Sequence, residues 1–199
     1  MIEQKQVDWK RIGVFTAFAF GIAWISAVVI YQRGGIFGSP ELVPDTGLTE
    51  AVVIMATAYM FAPAISHLLT RLITKEGWQD LWLSFNFKQG WGYMLLAWFG
   101  TPLLLAVGAA IYFVLFPQQF DVNLTTITSL MEEYNATGAE IPYGPGLLAL
   151  IQIVQGIILS PLLNLVPIFG EEFGWRGYLL PKLLPLGERK AYLISGLIW

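Results

Sequence analysis

IGVFTAFAFGIAWISAVVIY, residues 12–31, carries no charged side chain over twenty positions. About 20 apolar residues in a helix span the hydrocarbon core of a bilayer. Read outward, the preceding segment is short and polar, with Lys5, Lys10 and Arg11. A signal peptide is the competing interpretation. The apolar run exceeds an h-region, and no small-x-small cleavage site follows it. We therefore expect a retained transmembrane helix over Ile12–Tyr31. The next segment, Gln32–Gly47, holds Gly34, Gly35, Gly38, Pro40, Pro44 and Gly47 and is expected to be a loop.

Three further apolar runs follow. Leu48–Ile73 is the second expected span, with Glu50 near its start and Pro63 as a kink. Gly90–Phe116 is the third, with Pro102 inside it, and Leu147–Phe169 is the fourth. Ala191–Trp199 has the character of the start of a fifth. Between spans two and three, Thr74–Gln89 combines tryptophans with lysines, as interfacial segments do. Between three and four, Pro117–Gly146 is a long acidic connection whose middle, Leu124–Tyr134, suits a short surface helix.

Composition agrees. Of 199 residues 56% are hydrophobic and 13% charged, and the mean hydropathy is +0.62. An average soluble domain carries about 25% charge. The expected fold is an all-α polytopic transmembrane bundle, a single integral-membrane domain over 1–199 with four spans plus the start of a fifth. A net charge of −3 gives no basis for nucleic-acid binding. Without cysteine there is no disulfide, thiolate site or cysteine nucleophile, and His67 is the one histidine. No internal repeat is visible, which argues against a transporter fragment built on inverted repeats.

Lysine and arginine set orientation. Ten of the eleven fall on one side of a four-span zigzag, and only Arg33 falls on the other. The N-terminus is therefore expected in the cytoplasm, with the segment after span four at or near the cytoplasmic side.

That segment, Asn164–Lys182, reads NLVPIFGEEFGWRGYLLPK. An acidic residue at mid-bilayer costs roughly 2.5–3.5 kcal/mol, and here Glu171 and Glu172 stand side by side. Residues four apart share a helical face, so Glu172 and Arg176 are expected to pair. Glu171 points about 100° away, with Trp175, Tyr178 and Asn164 on its face. Gly174 and Gly177 lie on a flank where another helix can come close. Pro167 and Gly170 are expected to weaken the helix before the acids, and Pro181 to end it. Desolvated beside a like charge, Glu171 should have a raised pKa. Such a carboxylate is either a general base for activating water or an oxygen ligand for a metal. An interfacial helix start with a dipole-capping ion pair also produces this pattern.

Glu171-Glu172-Phe-Gly-Trp-Arg176-Gly-Tyr-Leu-Leu-Pro-Lys resembles the first motif, Glu-Glu-x-x-x-Arg, of the CAAX prenyl endopeptidase and abortive-infection-like (CPBP) family of intramembrane proteases. Met60-Phe-Ala-Pro-Ala-Ile65, Arg71 and Lys75-Glu-Gly-Trp78 also resemble its bacterial members. The resemblance implies an intramembrane endopeptidase with a cavity open toward the cytoplasmic side of, most naturally, a bacterial plasma membrane. It assigns water activation to Glu171, with Glu172 and Arg176 completing the motif. It leaves a divalent metal such as zinc as a candidate cofactor, and membrane lipid and a peptide or membrane-protein substrate as partners. Ser195-Gly-Leu-Ile-Trp199 resembles the lead-in to a second motif, whose histidine would fall four residues past Trp199. The chain is thus expected to be a C-terminally truncated form, inactive as a fragment. The alternative function is a non-catalytic immunity or regulatory binding protein of the same fold.

Other polar residues have plainer expectations. His67 should sit at a helix end or interface. Gln152, Gln155 and Asn164 should bond across helices or line a cavity. Trp78, Trp82 and Trp91 should form an interfacial belt. The sequons Asn123-Leu-Thr125 and Asn135-Ala-Thr137 lie in the expected external loop.

Overall fold

A computed structural model describes residues 6–44, 46–81, 83, 86–135 and 141–199. In chain order its elements are α1 (Trp9–Gln32), α2 (Gly35–Gly38), β1 (Glu41–Val43), β2 (Leu48–Thr49), α3 (Glu50–Ile54) and α4 (Met60–Ile73). Then come α5 (Phe87–Leu115), α6 (Thr125–Asn135), α7 (Pro145–Gly174), α8 (Leu180–Leu183) and α9 (Glu188–Ile198). π turns at Met55–Tyr59 and Trp175–Leu179 join α3 to α4 and α7 to α8. Among the described residues four helical stretches are long and apolar enough to cross a membrane: Trp9–Gln32, Glu50–Ile73, Phe87–Leu115 and Pro145–Leu186. The protein is an all-α integral-membrane helical bundle with all four expected spans. The expected loop after α1 contains a small antiparallel ribbon, β1 with β2.

The chain forms two compact units, Met1–Ser84 with Leu165–Trp199, and Phe85–Asn164. In the first, Asp8 caps α1 by accepting from the Arg11 amide at 3.1 Å, and Thr49 caps α3 through the Val52 amide at 3.2 Å. The buried core is Ile12, Phe15 and Ala19 of α1 with Trp175, Tyr178, Leu179, Leu183 and Ala191. Phe15 meets Trp175 edge-on at 5.4 Å between ring centroids and Tyr178 at 5.2 Å. Gly34 must be glycine. Its φ is +100°, and a Cβ there would lie 2.4 Å from the Gly38 carbonyl oxygen.

In the second unit, α5 has no buried residue among its 29, which is the surface expected of a lipid-facing helix. Asp121 starts α6, accepting from the Thr126 and Thr125 amides at 2.9 Å each. These bonds, Thr126 first, hold its carboxyl down to about 2. The surface helix of the long connection is therefore present at Thr125–Asn135. The second sequon, past Asn135, lies outside the described residues, as does Trp82. Trp78 and Trp91 are both exposed.

Proline explains another contact. Pro161 has no N–H, so the carbonyl four residues earlier, at Ile157, loses its helical donor. The Trp98 indole N–H of α5 donates to that carbonyl at 2.8 Å. Asn164 behaves differently from expectation: its side chain donates to the Ser160 carbonyl of its own helix at 2.8 Å. Gln152 and Gln155 are exposed, and among the described residues neither bonds across helices.

Trp98→Phe should destabilise the detergent-solubilised protein by about 1–3 kcal/mol, since it leaves the Ile157 carbonyl unpaired. Pro161→Ala restores the helical donor, so adding it to Trp98→Phe should recover much of that loss. Thermal melts of the two single variants and the double variant measure the coupling.

Candidate functional site

Pro167 and Gly170 predict a break in the helix before the acids. The structure instead carries α7 unbroken from Pro145 to Gly174. Packing overrides propensity here. Gly170 and Gly174 are one turn apart and lie against α4. A Cβ on Gly170 would come within 2.8 Å of the Phe61 ring, and one on Gly174 within 2.2 Å of Pro63 Cβ. The close-approach pair is thus Gly170 and Gly174, not Gly174 and Gly177. A Cβ on Gly177 would meet nothing closer than 3.4 Å. The helix also continues past Pro181. That proline sits in the first turn of α8, directly after the π turn, where a missing N–H costs little.

The acidic pair stands where α7 meets this turn. Arg176 and Glu172 form the expected i,i+4 ion pair. Glu171 faces elsewhere. It lines a cavity of about 170 Å³ with Ala19, Trp24, Tyr59, Pro63 and Trp175 among the walls. These wall positions are central in α1 and in the Glu50–Ile73 span. Glu171 therefore stands level with the middle of the first two spans, deeper than the charge count implies. Both π turns border this cavity, through Tyr59 and Trp175. π turns are frequent at functional sites because the extra residue re-aims the side chains after it.

Tyr178 shows that re-aiming. A regular helix would put it on the Glu171 face. The wider turn sends it into the core, 1% exposed, where its hydroxyl donates to Glu76 at 2.8 Å. The partner Glu171 does have is Trp199, whose indole N–H donates to Oε1 at 2.7 Å. The same ring lies under the Arg176 guanidinium at 5.1 Å. Trp199 thus touches both Glu171 and Arg176, a role the sequence spacing does not reveal.

Sequence reasoning also misplaced His67. It is fully buried, not interfacial. Nδ1 lies 3.0 Å from the Phe173 carbonyl oxygen, and Arg71 Nε donates to Nε2 at 2.7 Å. Arg71, 3% exposed, also donates to the carbonyls of Gly77 (2.7 Å), Gln79 (2.9 Å) and Asp80 (3.0 Å). Next to it, Glu76 accepts from Lys182 as well as Tyr178, with Arg11 Nε at 3.6 Å. Burial alone would raise the Glu76 carboxyl, but the Lys182 and Tyr178 hydrogen bonds outweigh it and hold it below its ordinary value.

Among the described residues no three His, Asp or Glu side chains come together as a metal-ligand set. His67 has both nitrogens engaged, and Glu172 is taken by Arg176. Glu171 alone offers a carboxylate, so these residues do not by themselves make a metal site.

Residues 152–199 match the family described as type II CAAX prenyl endopeptidase Rce1-like. The matched stretch includes Glu171, Glu172, Arg176 and Trp199, and it agrees with the resemblance carried by the Glu-Glu-x-x-x-Arg motif. The match covers 48 of the 199 residues, and over this segment the chain is similar to that membrane-protease family. No curated protein and no solved structure matches the chain.

Two outcomes follow from this geometry. Gly174→Ala should cost about 1–3 kcal/mol by overpacking against Pro63, while Gly177→Ala should be tolerated, as read from melting temperatures in detergent. The depressed Glu76 carboxyl contributes stability that is complete above its unfolded value near 4.5 and fades as pH falls through the lower folded value. The melting temperature should therefore drop on acidification below about 4.5, and Glu76→Gln should flatten that limb.

Proposed function

We propose that the protein is a membrane-embedded endopeptidase of the CAAX prenyl endopeptidase type, with Glu171 as the base that activates water. The observation that carries this reading is the division between the two acids. Glu172 is neutralised by Arg176, whereas Glu171 has one neutral donor and faces a cavity at mid-span depth. Trp199 occupies Oε1 and leaves Oε2 for a water.

In this reading Glu171 Oε2 takes a proton from the water as its oxygen bonds to the scissile carbonyl carbon. The proton then passes to the amide nitrogen as the C–N bond breaks, giving a carboxylic acid and an amine. Glu172 and Arg176 support the site by fixing the exposed face of the helix. The cavity walls are mostly aliphatic and aromatic around Glu171, which suits a peptide or membrane-protein substrate presented from the lipid. The basic-residue count supports a cytoplasmic N-terminus, and the resemblance to bacterial CPBP members supports a bacterial plasma membrane.

The test compares membranes containing the full-length gene product with membranes containing its Glu171→Gln variant, mapping new peptide termini by mass spectrometry. Loss of a positioned general base is worth about 10²–10⁴-fold in rate. Cleavage should fall by at least that factor while the variant remains inserted and folded. Equal cleavage by the variant removes Glu171 as the base. No cleavage by the unaltered protein favours a non-catalytic immunity or regulatory role.

A further inference from the structure

We infer that His67 is a positioning residue for the acidic pair, acting through the Phe173 carbonyl rather than through any ligand. The inference rests on the reading of Glu171 as the reacting carboxylate.

The tautomer follows from the partners. Arg71 Nε can only donate, so Nε2 of His67 accepts, and the ring proton lies on Nδ1. A carbonyl can only accept, so Nδ1–H donates to Phe173. Arg71 is itself immobilised by the three carbonyls of the 77–80 loop, which fixes the imidazole from behind. The ring is also clamped between Phe173, at 4.3 Å between centroids, and Tyr178, at 4.6 Å.

The bonded carbonyl occupies a critical place. Phe173 follows Glu172 directly and precedes the Trp175–Leu179 π turn by two residues. His67 stands one turn beyond Pro63 on α4, and Pro63 is where Gly174 touches that helix. Glycine contact sets the distance between α7 and α4, but a smooth surface leaves sliding and rotation cheap. A hydrogen bond to one particular carbonyl selects one register. A one-residue slip in a helix is a 1.5 Å shift with about 100° of rotation. Either motion swings Glu171 out of the cavity, and a misplacement of about 1 Å can cost 10²-fold in rate.

Two amide substitutions separate the bonds that His67 makes. In His67→Asn the amide nitrogen falls near the position of Nδ1, so the Phe173 bond is kept and the Arg71 acceptor is lost. In His67→Gln the amide falls near Nε2, so the reverse holds. The two are compared in the full-length protein for kcat and KM, and for hydrogen exchange at amides 173–180. His67→Asn should keep kcat within about threefold and leave exchange unchanged. His67→Gln should lower kcat about 10–100-fold at constant KM and speed exchange at 173–180 but not at 12–31. Equal loss in both variants, including failure of both to insert, assigns His67 to packing alone and overturns the inference, as does the opposite order. If Glu171→Gln cleaves normally, the catalytic reading falls, while the exchange comparison still decides whether His67 sets the register.

Discussion

No water reaches a carbonyl inside a bilayer, so each one must find its donor in the protein. Prolines and π turns interrupt the ordinary helical supply, and this chain has both within its spans. Two carbonyls near such interruptions meet side chains from elsewhere in the chain. Trp98 serves the carbonyl that Pro161 orphans, and His67 serves Phe173 beside the second π turn. Arg71 gathers three loop carbonyls at the end of α4. In water such bonds would be worth little net. Where no solvent competes such bonds count for more.

The charged groups obey the same rule. Glu76 is held by Lys182 and Tyr178, with Arg11 alongside, in a cluster that ties α1, the loop after α4 and α8 together. Glu172 is answered within its own helix. Glu171 differs from these: among the described residues its hydrogen-bond partner is the neutral Trp199 indole. A charge left under-compensated at that depth is costly, and such residues commonly mark sites of function.

Much of this was legible in the residues. Uninterrupted apolar runs give the first three spans within a few positions, while the fourth continues past the expected Phe169, and i,i+4 spacing gives the Glu172–Arg176 pair. The sequence argument fails where tertiary contact reverses a local preference. Pro167 and Gly170 read as a break, yet packing of Gly170 on Phe61 and of Gly174 on Pro63 keeps α7 continuous. A regular 3.6-residue period places Tyr178 on the Glu171 face, and no local signal announces a π turn. His67 looked interfacial because a lone histidine near a span end usually is. Its partners are Arg71, one turn away, and a carbonyl 106 residues along the chain, and only the fold joins them.

The π turn at Trp175–Leu179 also bears on the length of the chain. A π turn holds one residue more than an α turn in the same place. Deleting one residue there would close it to α geometry with the flanking turns still in phase, so Lys182 would keep Glu76 and Leu183 the core. The same deletion in the regular part of α7 would rotate everything that follows by about 100°. A change of one codon is therefore absorbed at this turn and felt far away elsewhere in the helix.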